Sequence, residues 1–320
     1  MLKLSEIAMH TATEIIGNKN FKIDKLSDIS SASSNDIVVV LDESNFNNID
    51  FSKFGAVLTS INLSKKINNS NLLVSTNPKL AFARLTKMFV DPSAVKLRKV
   101  SSNGNSYYVG ENVEIDENFK VGLNVVIESS VSIGKNVELS HNVVILHGTK
   151  IGDNVKIDSG TVIGSEGFGN FYSKEKNSWE HINHLGNVNI SNNVMIGSNC
   201  SIDRGTLKDT IIESGVIIDN QVHIAHNCFI GENTAIAANT AIAGSCFIGK
   251  RNLIGGLVGI VDHITTTDDV VISATSTVFK NINDPGIYTG IMPISKHSSW
   301  KRIAFWVTKL DKIVKKFNIK

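Results

Sequence analysis

VGENVEIDENFKVGLNVVIESSVSIGKNVELSHNVVILHGTKIGDNVKIDSGTVI, Val109 to Ile163, places an aliphatic residue at every sixth position. The beat falls on Val109, Ile115, Val121, Ile127, Ile133, Leu139, Ile145, Ile151, Ile157 and Ile163. Four residues after each comes a second small, branched or aromatic side chain, from Val113 and Phe119 to Thr161. The beat resumes at Ile190, Ile196 and Ile202 and slips by four residues near Arg204–Ile211. It then runs from Ile212 to Ile272 and Val278 with only Thr266 out of type. A fixed short period marks a solenoid, and hexads mark a parallel β-helix. Three hexads close one triangular coil, so residues eighteen apart stack about 4.8 Å from each other. Roughly twenty-two hexads predict about seven coils, a rod on the order of 35 Å long. Gly122, Gly134, Gly152, Gly231, Gly249, Asn112, Asn136 and Asn154 crowd the corners, where a positive φ is expected. Cys228 and Cys246, eighteen apart, read as a stacked thiol pair in the core rather than a disulfide.

Outside the rod the pattern changes. Residues 1–100 lack the beat and read as a small α/β domain. An amphipathic helix is expected from Ser5 to about Ile16, with β-like runs at Phe21–Ile23, Ile37–Leu41, Ala56–Leu58 and Leu72–Ser75. A second helix begins at Asn77-Pro78, with Asn as N-cap and Pro in the first turn. It should bury Leu80, Leu85, Met88 and Phe89. Residues 101–293 form the solenoid, interrupted by an excursion at 165–187. An irregular insertion of that length is uncommon and often functional. Its Phe168, Phe171, Tyr172 and Trp179 could cover a sugar or an acyl chain, or pack on a neighbouring subunit. Residues 294–320 turn helical, and Ile303, Trp306, Leu310, Ile313 and Phe317 form a seam too apolar to leave wet. Packed about a threefold axis, prism and helix predict a homotrimer.

Composition narrows the setting. Nowhere do eighteen apolar residues run together, so no transmembrane helix is expected. Three cysteines with no metal-site spacing suit a reducing cytoplasm. The net charge is +2, too weak for general nucleic-acid binding. From Ile294 onward, eight Lys/Arg stand against one Asp. That local excess points to an acidic partner or a membrane surface.

Nine histidines are present, and one has telling neighbours. His226, in IDNQVHIAHN, takes the third position of its hexad, and eighteen residues on lies Gly244. An imidazole would then sit one coil from a backbone N–H that no side chain blocks. A base beside a bare amide donor is the minimum kit for acyl transfer. Zinc held by histidines of two subunits is the competing use. His223 and His226 are expected to straddle different faces of the prism and to make poor co-ligands.

VIGSEGFGN, the run SIDRGTLKDTIIESGVIIDNQVHIAHNCFIGENTAIAANTAIAGS and the ending DPGIYTGIMP resemble the UDP-3-O-acylglucosamine N-acyltransferase (LpxD) family of lipid A biosynthesis. The resemblance spans the chain and implies a left-handed parallel β-helix, a homotrimer and no bound cofactor. The 4′-phosphopantetheine would arrive on acyl carrier protein, whose 3-hydroxyacyl group moves to the 2-amine of a UDP-3-O-acylglucosamine. Carried onto this sequence, the resemblance makes His226 the general base and Gly244 the oxyanion donor. His263, Asp219 and Asn227 would bind substrate, with Asp219 polarising the imidazole. In LDESNFNNI the matches to the family's uridine contacts are Asp42 and Phe46. The small Ala274, Thr275, Ser276 and Thr277 imply an acyl groove, at Thr275 and Thr277, open to a long chain. Lys296, Lys301, Arg302, Lys309 and Lys312 would meet the acidic carrier. The rival readings are the sister O-acyltransferase acting on UDP-GlcNAc, an acetyl-CoA-dependent acetyltransferase, and a non-catalytic or carbonic-anhydrase-like solenoid.

Overall fold

The computed structural model describes residues 1–43, 46, 49–90, 97–102, 105–290, 294–310 and 314. The centre of the chain is a parallel β-helix of three faces built from strands mostly two residues long. On the first face Val109, Ile127, Ile145, Ile163, Ile202, Ile224, Ile242, Ile260 and Val278 stack in register. The third face is equally tall, from Val121 to Tyr288, and the second carries seven strands. Nine levels therefore replace the seven expected. All nine first-face residues lie on the beat, which has twenty-five positions rather than twenty-two; only Tyr288, opposite Ile272 at the end of the third face, fills an inward slot off it.

The interior positions are closed to water: Ile127, Ile145, Ile163, Ile202, Ile224 and Ile242 are each 0% exposed. Burying such a side chain stabilises the fold by about 1.5–3 kcal/mol. Asn112, Asn136 and Asn154 hold φ of 54°, 56° and 57° at the corners, a region Asn tolerates. The corner glycines have another cause. Gly134 is not among the positive-φ residues, but a Cβ there would stand 2.4 Å from Asp153 Oδ1 and 2.7 Å from the Gly152 carbonyl carbon. Close stacking of levels, rather than backbone handedness, excludes a side chain. Thr266, the break in the beat, is buried and accepts hydrogen bonds from Gly249 N–H at 3.1 Å and Asn252 Nδ2 at 2.7 Å. Cys200, Cys228 and Cys246 are buried free thiols.

The N-terminal part holds a four-stranded sheet in the order Glu14–Ile16, Leu72–Ser75, Ala56–Ser60, Ile37–Val40, with separate apolar clusters around it. The first helix is shorter than expected, Leu4–Thr11. Ala12 turns left-handed at φ 54°, and Glu14–Ile16 pairs as a strand with Leu72–Val74. The helix Pro78–Lys87 begins as expected, Asn77 Oδ1 accepting from Leu80 N–H at 3.3 Å.

Two irregularities tie this sheet to the rod. The excursion forms a hairpin, Asn170–Ser173 with Ser178–His181. It packs on its own chain: Glu180 lies 3.6 Å from Lys87 Nζ, and Asn183 N–H donates to Thr86 Oγ1 at 3.1 Å. The four-residue slip brings Lys208 within 3.1 Å of Asp28. The C-terminal helix His297–Val307 buries no side chain, and Trp300, Trp306 and Leu310 stand exposed. Ile313 and Phe317 of the expected seam, together with Lys312, lie outside the described residues, as do three residues of the DPGIYTGIMP phrase, Ile291 to Pro293.

Candidate active site

Hexad geometry places His226 two positions after inward Ile224, where the first face turns its corner. Gly244 takes the same position one level on, after Ile242. A Cβ on Gly244 would stand 2.7 Å from both Cε1 and Nε2 of His226. The imidazole thus lies directly against the bare glycine backbone. Among the described residues no acceptor takes the Gly244 N–H.

Asn227 fixes the chemistry of the ring. Its Oδ1 accepts from Thr206 N–H at 3.0 Å, and its Nδ2 donates to the Lys208 carbonyl at 3.1 Å. Those two bonds settle which end of the amide is oxygen. The same Oδ1 lies 3.0 Å from His226 Nδ1. An amide oxygen only accepts, so Nδ1 carries the proton and Nε2 keeps its lone pair. The free nitrogen is the one beside Gly244. The slip at Arg204–Ile211 has a structural use here: it supplies Thr206 and Lys208, which orient Asn227.

A groove of about 650 Å³ runs from His226 past Ala241, Gly244, Gly259 and His263 to Thr277, with Phe168 of the excursion over it. Its floor is small because Ala241, Gly259 and Thr277 stack outward on the first face. Phe279 stands 71% exposed two residues beyond Thr277, a bulky ring that the reading of small slots passed over. Thr275 follows the third face instead and does not line the groove.

Several expectations are corrected. Asp219 sits at the corner after the third face, bonding Asn220 and the Ala238 N–H. Within one protomer it does not reach His226. Asp203 does line the groove, an acid the sequence reading overlooked. Its carboxylate accepts from Ser165 Oγ at 2.6 Å and lies 3.6 Å from His223 Nε2. Burial pushes its pKa up, against the lowering effect of Ser165 and His223. His223 projects from the first face and His226 from the corner after it, yet both line the groove. Among the described residues no three His, Cys, Asp or Glu gather closely enough to hold a metal ion.

The uridine candidates lie apart from the groove. Phe46 packs on Phe51 at 5.3 Å within the N-terminal sheet's own core, and Asp42 is exposed nearby. A second cleft, about 480 Å³, opens between that sheet and the rod, lined by Asp28, Val39, Leu41, Phe82, Asn227 and Ser245 among others. Ser245 lines both cavities. Neither Asp42 nor Phe46 lines either one.

The sequence reading also missed His184. It is 2% exposed, and its ring centroid lies 5.0 Å from that of His226 at 67° between planes. A histidine outside the hexads carries no register, so only the folded excursion could place it.

Comparison with known proteins fits this geometry. The bacterial transferase hexapeptide (six repeats) profile matches residues 130–165. The UDP-3-O-acylglucosamine N-acyltransferase of Vesicomyosocius okutanii is 49% identical over 330 residues, covering 100% of this chain and 98% of its own. That of Campylobacter lari is 36% identical over 306 residues, covering 93% and 95%. Among solved structures, LpxA of Acinetobacter baumannii superposes with a TM-score of 0.50 at 25% identity, covering 57% of this chain and 71% of its own. The rod is accordingly a left-handed parallel β-helix.

Proposed function

This chain belongs to the UDP-3-O-acylglucosamine N-acyltransferase family, and on that premise we propose that it moves a 3-hydroxyacyl group from acyl carrier protein to the 2-amine of a UDP-3-O-acylglucosamine, with His226 as general base. The observation that carries this reading is the unprotonated Nε2 of His226 lying against the uncovered backbone of Gly244.

The chemistry follows from that pair. The amine lone pair adds to the thioester carbonyl while Nε2 takes its proton, and the carbonyl oxygen becomes an oxyanion that accepts the Gly244 N–H. Collapse re-forms the carbonyl as an amide and expels the phosphopantetheine thiolate, which recovers the proton from the imidazolium. The prosthetic arm comes and goes with the carrier, and no cofactor resides on the enzyme. His263 and Asn227 flank the reacting centre. The acyl chain lies along the Ala241–Gly259–Thr277 trough towards Phe279.

The active unit is a homotrimer in this reading. Outward residues of the third face change from Lys120, Glu138 and Lys156 to Met195, Ile217, Ala235 and Leu253 at the levels carrying the site. Met195, Ile217 and Leu253 stand 48–52% exposed in the isolated chain, a patch suited to burial between copies. In the trimer the partner's Asp219 corner can close the groove that Asp219 does not reach within one protomer. The uridine lies between rod and N-terminal sheet. The basic helix, with Lys301 and Arg302 exposed, receives the acidic carrier, and that association weakens as salt rises.

The test is turnover with 3-hydroxyacyl groups of graded length on acyl carrier protein, offered a UDP-3-O-acylglucosamine or UDP-GlcNAc. N-acylation of the former alone supports the proposal. O-acylation of UDP-GlcNAc would move the chain to the sister activity of its solenoid neighbours.

A further inference from the structure

Against His226 the excursion presses a second imidazole that is not among the residues lining the groove. Both ring nitrogens of His184 are buried and neither forms a well-aligned hydrogen bond, the Ile182 backbone being the one weak partner. A poorly satisfied polar atom in such a place is a cost to folding. An apolar side chain would fill the space without that cost. The excursion backbone is fitted to the pair. A Cβ at Gly167 would stand 2.8 Å from His226 Cδ2 and 3.0 Å from His184 Nε2, and one at Gly169 2.6 Å from His184 Cε1.

His184 is held from outside. Its neighbours Ile182 and Leu185 pack on the core of the N-terminal sheet, and Asn183 donates to Thr86 on the helix Pro78–Lys87. Those contacts fix the stretch of backbone that carries the ring. It does not line the groove, so it does not touch substrate there. It stays neutral at working pH: burial first, then the charge His226 can carry, push its pKa down to about 4. A neutral neighbour does not oppose the imidazolium that forms when His226 takes the amine proton.

We propose that His184 is a positioning residue for His226. Its immobilised ring fixes the plane of the base while Asn227 fixes its tautomer, and together they aim Nε2 at the Gly244 amide. The proposal rests on the reading of His226 as general base. Through Ile182, Asn183 and Leu185 it also makes the N-terminal sheet part of the catalytic geometry.

The test is a double-mutant cycle of His184→Ala with His226→Ala, read as kcat and KM for both substrates, alongside thermal melts. Because misplacement of about 1 Å can cost 10²-fold, His184→Ala should lower kcat about ten- to a hundredfold, with each KM within about twofold. In the His226→Ala background the same change should do nothing further, since residues acting as one unit are not additive. An equal drop in both backgrounds, or an unchanged kcat in the single variant, overturns the proposal. Should His184→Ala fail to fold, His184→Gln is carried through the same cycle. Substantial turnover by His226→Ala alone would instead sink the general-base reading, so the two failures are told apart.

Discussion

Gly244→Ala is the most economical perturbation of the site. Gly244 is not among the residues with positive φ, so alanine meets no backbone penalty there. The added methyl would stand 2.7 Å from Cε1 and Nε2 of His226. Ordinary carbon contacts begin near 3.5 Å, so the ring must retreat by roughly 0.8–1 Å. It has little room: Asn227 holds Nδ1 at 3.0 Å and the His184 ring packs against it with centroids 5.0 Å apart. A base displaced by about 1 Å loses about 10² in rate, close to 2.7 kcal/mol of transition-state stabilisation. The loss should fall on kcat in steady-state acyl transfer. The stability cost should stay within the 1–3 kcal/mol typical of overpacking, as followed by urea denaturation. Gly256→Ala is the control, because its methyl approaches only the Ala238 carbonyl oxygen, at 3.3 Å, away from the groove. A folded Gly244→Ala enzyme with kcat within about threefold of native would refute the reasoning.

Other consequences are measurable. His184 has a folded pKa of about 4 and an unfolded one near 6.5. The unfolded chain therefore binds the proton first. The stabilisation is complete above pH 6.5 and lost as pH falls towards 4, on the order of 2–3 kcal/mol. Urea titrations at pH 7.5 and 4.5 should show this fall in the native chain and a smaller one in His184→Gln; equal falls would contradict it. Asn227→Ala releases the Nδ1 proton and should lower kcat at least about tenfold, whereas unchanged kcat would mean that the tautomer is set elsewhere. Ile242→Ala empties a fully buried position and should cost about 2–5 kcal/mol; a cost under about 1 kcal/mol would show that the levels collapse around the gap.

The rod was legible because its physics is periodic. An inward aliphatic at every sixth position specifies the three faces, and the eighteen-residue stack that follows brought His226 and Gly244 together on paper. The same arithmetic failed wherever the period did. The end of the third face was missed because Tyr288, off the beat, takes the inward position there. Asp219 was linked to His226 by nearness in sequence, yet half a dozen residues carry the chain around a corner of the prism. Asp203 and His184 lie on either side of breaks in the beat, at the slip and in the excursion. Their places are set by Lys208–Asp28, Asn183–Thr86 and the glycines at 167 and 169, contacts between segments far apart in the chain. The corner glycines were recognised for the wrong reason, since composition does not separate a need for positive φ from a need for space.

The central claim is that His226 removes the amine proton during acyl transfer. Its most direct test is turnover of His226→Ala against the native enzyme, with 3-hydroxyacyl-acyl carrier protein and a UDP-3-O-acylglucosamine. A loss of about 10²–10⁴ in kcat in a folded protein is predicted; turnover within a few-fold of native would contradict it.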